Sequence, residues 1–154
     1  MNYELSSYNV NLHKRYLDKS PIQITGGPGT GKTTYANILL SECQNTIIDS
    51  SYLKQSKDIQ VLIENLNKRN ITDMFSKKKE YRGLIIDDIH TFYNEDKKSF
   101  SLFVKLCENV PPKTRIILTY LKQYEKTKKF LSLKYPKIRL STDISERYNL
   151  VKYF

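Results

Sequence analysis

Apolar residues in this chain fall into short blocks separated by longer amphipathic stretches. Ile22-Gln23-Ile24-Thr25, Thr46-Ile47-Ile48-Asp49, Leu84-Ile85-Ile86-Asp87, Arg115-Ile116-Ile117-Leu118-Thr119 and Ile138-Arg139-Leu140 each read as a short strand. The stretches between them repeat at helical spacing. Helices are expected at Val10–Asp18, broken by Pro21, and from Lys32 to about Ser41 with Tyr35, Ile38 and Leu39 inward. Asp58–Asn67 places Ile59, Leu62, Ile63 and Leu66 on one face, and Lys97–Glu108 does the same with Phe100, Phe103, Val104 and Cys107. Pro111-Pro112 closes that helix, Lys122–Leu133 reads as another, and Asp143 can cap a last one through Tyr148.

Strands this short and this apolar suit a parallel sheet covered on both faces. Strands alternating with helices give a layered α/β domain. The expected architecture is therefore a three-layer α/β/α domain with a five-stranded parallel sheet, spanning residues 1–154 as a single domain. In such sheets ligands bind beyond the carboxyl ends of the strands. Gly26–Thr33, Asp87-Asp88 and Thr119 all follow strand ends, so one sheet edge can gather them.

The strongest chemical signal is Thr25-Gly-Gly-Pro-Gly-Thr-Gly-Lys-Thr-Thr34. Gly26-x-x-x-x-Gly31-Lys32-Thr33 fits the phosphate-loop pattern in its strand–loop–helix context. Backbone amides of Gly26, Gly27, Pro28-flanked Gly29, Thr30 and Gly31 can converge on an anion, reinforced by a helix N-terminus. Lys32 would reach the β- and γ-phosphates, Thr33 would bind Mg²⁺ through its hydroxyl, and Thr34 lies near the α-phosphate. Asp87 ends an apolar strand and Asp88 follows it. Two adjacent acids there are costly without a nearby cation. Asp87 can hold a water on Mg²⁺, and Asp88 can orient a water for attack. His90 beside them reads chiefly as a solvated neighbour.

Together "GGPGTGKTT", "LIIDDIH" and "RIILTY" resemble the AAA+ ATPase superfamily. The acid pair is similar to that of the bacterial replication initiator, and much of the chain is similar to the large subunit of clamp loaders. The resemblance implies an ATP- and Mg²⁺-dependent ATPase acting in DNA replication, repair or a related DNA transaction. It assigns Asp87 to the metal, Asp88 to the water-activating position usually held by Glu, and Thr119 to the polar sensor of the γ-phosphate. It also puts Val10 and Leu12 near the adenine. A helical lid with its sensing Arg is not expected before Phe154. Nor is an arginine-finger motif visible, with Arg139 and Arg147 the nearest candidates. Turnover would then be slow alone, with the finger coming from a protein partner or a second subunit. A phosphate-loop kinase and an ATP-binding, poorly hydrolysing assembly subunit remain open alternatives.

Charge and composition add less. The 154 residues carry a net charge of +10, which favours a polyanionic partner such as DNA. Most of that charge is Lys, accompanied by abundant Asn, Ile and Tyr, a bias that AT-rich coding also produces. Lys122, Lys126, Lys128, Lys129, Lys134 and Lys137 cluster late among Tyr124, Phe130 and Tyr135, with Lys54 and Lys57 as equal contenders. In that cluster Phe130, Leu131 and Leu133 are expected to face inward. Lys77-Lys78-Lys79 reads as a solvated turn. Cys43 and Cys107 lack metal spacing and read as reduced, packed thiols. No run approaches the ~20 apolar residues of a membrane helix, and the first ten residues do not form a secretory signal. The expectation is an intracellular protein of cytoplasm or nucleus without a membrane partner.

Overall fold

The computed structural model describes residues 3–49, 51, 56–68 and 81–140. The helix expected after Asp143, Arg147, Lys54 and the lysine run at 77–79 lie outside them, as does the side chain of Lys57. The elements in chain order are α1 (Tyr3–Leu17), β1 (Ile22–Gly26), α2 (Lys32–Leu39), β2 (Gln44–Ile48), α3 (Ser56–Asn67) and β3 (Arg82–Ile86). After them come α4 (Ile89–Glu95), α5 (Lys97–Glu108), β4 (Thr114–Leu121), a 3-10 turn (Lys122–Lys126), α6 (Lys128–Leu131) and β5 (Lys137–Leu140). The sheet is five-stranded in the order β2-β3-β4-β1-β5. Every pairing in it is parallel.

The central strands β3 and β4 alternate between two cores, which explains their unbroken apolar runs. Leu84 and Ile86 of β3, with Ile116, Leu118 and Tyr120 of β4, pack with Phe92, Phe100, Phe103 and Phe130. Ile85 and Ile117 between them turn the other way and join Ile22, Ile24, Leu17, Ala36 and Leu39. Helices therefore cover both faces, and the three-layer expectation holds. α3 contributes Ile59, Leu62, Ile63 and Leu66 to the first core, as its periodicity predicted. Gly83 is demanded by packing: a Cβ there would lie 3.0 Å from Leu40 Cδ1 and overlap the Asn45 side chain.

Phe103 is fully buried and meets Phe92 edge-on at 5.0 Å between ring centroids. Phe103→Ala is expected to cost about 3–5 kcal/mol, because the surrounding rings cannot collapse into the void. Urea unfolding of the two proteins, compared at equal m-value, measures this.

Several local expectations need correction. α1 and α3 start earlier than the apolar pattern indicated, at Tyr3 and Ser56. β4 runs to Leu121, so Thr119 lies inside the strand and not at its end. α4 lacked a sequence signal: it has seven residues, of which only Ile89 and Phe92 are buried. The continuous helix expected over Lys122–Leu133 is instead a 3-10 turn and a four-residue helix hinged at Thr127, whose backbone is extended. Side-chain anchors hold this segment against the sheet. Tyr124 packs on Phe130 and on His90, and Glu125 accepts a bond from Thr25 of β1. Phe130 and Leu133 do face inward, but Leu131 is 60% exposed.

Candidate functional site

β1 ends at Gly26, and the chain then turns sharply into α2. Gly29 and Gly31 have φ of 69° and 83°, left-handed values that side chains disfavour, and Gly31 caps α2. Gly26 is glycine for a different reason: a Cβ would stand 2.7 Å from both the Leu140 carbonyl oxygen and Thr30 Oγ1. Thr30 fastens the loop by donating to the Gly27 carbonyl at 2.9 Å. Lys32 is buried, and its ammonium folds back over the loop. It donates to the carbonyls of Gly27 at 2.9 Å and Gly26 at 3.4 Å. A buried cation held, among the described residues, by neutral carbonyls favours an anion placed against it. Pro28 and Gly29 are exposed at the loop's outer side, and Thr34 is exposed on the first turn of α2.

The acids stand on the same rim. Asp87 directly follows β3, and its amide donates to the Ile48 carbonyl at 2.8 Å. Its Oδ1 accepts the Thr33 hydroxyl at 2.7 Å and the Thr119 hydroxyl at 2.8 Å. This carboxylate thus ties the end of β3 to β4 and to the first turn of α2. The Thr119 hydroxyl in turn accepts the Asp88 amide at 2.9 Å. Thr119 is thus a hub between the acids although it is two residues short of the strand's end. Asp88 has φ 50°, a left-handed conformation that Asp tolerates far better than longer side chains do, and it starts α4. A carboxylate and a hydroxyl at 2.7 Å form an oxygen pair suited to a hard divalent cation. With Lys32 close by, the residue set fits a phosphate bearing such an ion.

His90 is not merely solvated. It is half-buried and stacks on Tyr124 at 4.9 Å and 25°, and its Nδ1 has no hydrogen-bond partner among the described residues. Burial depresses its basicity, against the attraction of Asp88. Tyr124 is also held by Asn94, which donates to its hydroxyl at 2.7 Å. Val10 packs beside the second core, and Leu12 is half-buried. Arg139 is exposed but not idle, since its Nε lies 3.2 Å from Glu125 Oε2. Burial pushes the Glu125 carboxyl up. Bonds from Thr25 and Arg139 more than offset this and leave it below the ordinary carboxylate range.

Sequence reasoning missed a buried polar network on β1. Gln23 and Thr25 are fully buried on the face opposite Ile22 and Ile24. Gln23 donates to the carbonyls of Leu133 and Tyr135 at 2.8 and 3.1 Å and accepts the Tyr120 hydroxyl at 2.7 Å. Thr25 donates to Glu125 at 2.6 Å. The only available signal was two polar residues alternating within a strand otherwise apolar.

Residues 22–137 match the family described as "ATPase family associated with various cellular activities (AAA)". The chain belongs to that family. The AAA match takes in the glycine loop, both acids and Thr119. Solved structures of AAA proteins share the fold. A replication initiator DnaA bound to AMPPCP and single-stranded DNA aligns at TM-score 0.59 and 17% identity, over 99% of this chain and 50% of that one. The FIGL-1 AAA domain in complex with ADP aligns at 0.61 and 18%, over 86% and 47%. Katanin, in a study of its self-assembly, aligns at 0.59 and 20%, over 86% and 44%. The chain thus spans half or less of the length of these structures. No curated protein matches it by sequence. Among the described residues no helix is long and apolar enough to cross a membrane.

Proposed function

We propose that this AAA module binds ATP with Mg²⁺ and hydrolyses it slowly by itself, in service of a DNA transaction. The observation that carries the reading is the bond from Thr33 of the glycine loop to Asp87, with Thr119 on the same oxygen. That contact joins an anion cradle to an acid across the sheet rim. Gly26, Gly27, Gly29, Thr30 and Gly31, with Pro28 shaping the turn, would surround the phosphates, and Thr34 would lie beside them. Lys32 would neutralise their charge. Thr33 and Asp87 would hold the magnesium ion, which supplies charge neutralisation at the phosphates when bound. Asp88 would take the proton of the attacking water, with Thr119 fixing the acid pair in position.

Slow turnover follows from the arginines. Arg139 is engaged with Glu125, and Arg115 lies over the Tyr81 ring and bonds to Asp18. Neither of these two is aimed at the loop, which supports the reading that a stabilising guanidinium comes from a second subunit or a protein partner. An arginine finger is worth roughly 10³–10⁵ in rate. DNA is supported as partner by the net charge of +10 and by the likeness to an initiator solved with single-stranded DNA.

The test is phosphate release from ATP by the purified protein with magnesium and with excess EDTA. Release is expected only with magnesium. Equal release in EDTA would overturn the reading, and transfer of phosphate to a small-molecule acceptor faster than to water would favour a kinase.

A further inference from the structure

The segment 122–140 carries six lysines and one arginine against a single acid, Glu125. The rest of the chain is closer to balance, with 19 basic residues against 15 acids, and the stretch 89–108 has three acids and three lysines. Glu125 does not offset the excess, because its two oxygens are taken by Thr25 and Arg139. Lys122, Lys126, Lys128, Lys129 and Lys134 are all exposed, and none forms an ion pair among the described residues. Repelling like charges are tolerated there because the segment is held by neutral anchors: Phe130 in the core, Tyr124 on His90, and Gln23 on the carbonyls of Leu133 and Tyr135.

Its position is unusual. Lys122 and Lys126 follow the carboxyl end of β4, so they stand on the rim that holds the glycine loop. The turn between them touches both halves of the nucleotide site. Glu125 bonds to Thr25, the residue before the loop glycines, and Tyr124 stacks on His90, two residues past Asp88. A partner seated on these lysines would press on a segment already joined to the loop strand and to the acid helix.

We propose that Lys122, Lys126, Lys128 and Lys129 form a docking surface for the phosphodiester backbone of a nucleic-acid strand beside the nucleotide site. The proposal rests on the ATPase reading for its coupling but not for its binding surface. Lysine ammoniums act as point charges for phosphates and carry no fork for reading base edges, so the contact is expected to be tolerant of sequence. An anionic membrane fits less well, because α6 has only four residues and presents one exposed apolar side chain, Leu131.

The test is fluorescence anisotropy of labelled oligothymidylate and of a mixed-sequence duplex with the full chain, at low and moderate salt. One variant combines Lys126→Glu, Lys128→Glu and Lys129→Glu. A second makes the same charge change at exposed positions outside the segment, with Arg15→Glu, Lys19→Glu and Lys68→Glu. The first is expected to weaken binding at least about tenfold and to flatten the log–log salt slope for the single strand by about 2. The second should stay within about threefold. A glutamine triple at 126, 128 and 129 should weaken binding in the same direction and guards against misfolding of the glutamate variant. Equal losses in both triples would make the attraction a net-charge effect and overturn the proposal. So would unchanged binding in the first, or binding to phosphatidylserine vesicles or polyglutamate without binding to either oligonucleotide. Lys32→Ala separates the two readings: it is expected to lose ATP and retain the oligonucleotide.

Discussion

Replacing Lys32 with alanine is expected to weaken ATP binding by about a hundredfold. The ammonium is buried, and its two bonds go to loop carbonyls that an anion can outcompete. A hydrogen bond to a charged group contributes about 1.5–3 kcal/mol, and each 1.4 kcal/mol is tenfold in affinity. The fold should survive, because the closer of the two carbonyls, that of Gly27, is only half-buried and water can take the ammonium's place on it. Titration with a fluorescent ATP analogue, alongside a thermal melt, separates lost binding from lost structure. Binding within threefold of the parent, in a folded variant, would remove Lys32 from the proposed cradle.

Asp88→Asn is expected to leave ATP affinity nearly unchanged and to lower the rate of hydrolysis by about 10²–10⁴, the usual contribution of a positioned general base. The substitution is clean for structural reasons. Asn shares the tolerance of Asp for left-handed backbone, so φ 50° at this position can persist. The bond from the residue-88 amide to Thr119 does not involve the side chain and should remain. What disappears is a proton acceptor. Single-turnover phosphate release with bound ATP measures the effect directly. An unchanged rate would show that Asp88 does not activate the water.

Much of this was legible in the sequence, for identifiable reasons. Blocks such as Leu84-Ile85-Ile86 and Ile116-Ile117-Leu118, apolar on successive residues, implied two covered faces, and these residues do divide between two cores. Most of the glycine run needed no long-range information, because Gly29 and Gly31 are set by left-handed backbone, whereas the close approach of the Leu140 carbonyl to Gly26 comes from across the sheet. What failed depended on contacts across the sheet. Lys122–Leu133 has a passable helical pattern, but Thr25, His90 and Gln23 hold it at points that no local periodicity encodes. α4 is too short to show a period. Thr119 looked like a strand end, because the pairing that carries β4 on to Leu121 lies in β1: Thr25 and Gly26 face Tyr120 and Leu121. Glu125 carried no signal among so many lysines, although its bond from Thr25 joins the 3-10 turn to the loop strand.

Because β1 has β4 on one side and β5 on the other, the strand feeding the glycine loop has no free margin. Among the described residues β2 does have one: residues 45–47 are solvent-exposed, and β3 is the strand that pairs with it. Fraying would start there. Its first casualty would be the support of Asp87, whose amide hangs from Ile48, while the loop kept both of its flanking ladders. Mild heat or denaturant would therefore blunt the acid side of the site before it loosened the proposed phosphate cradle.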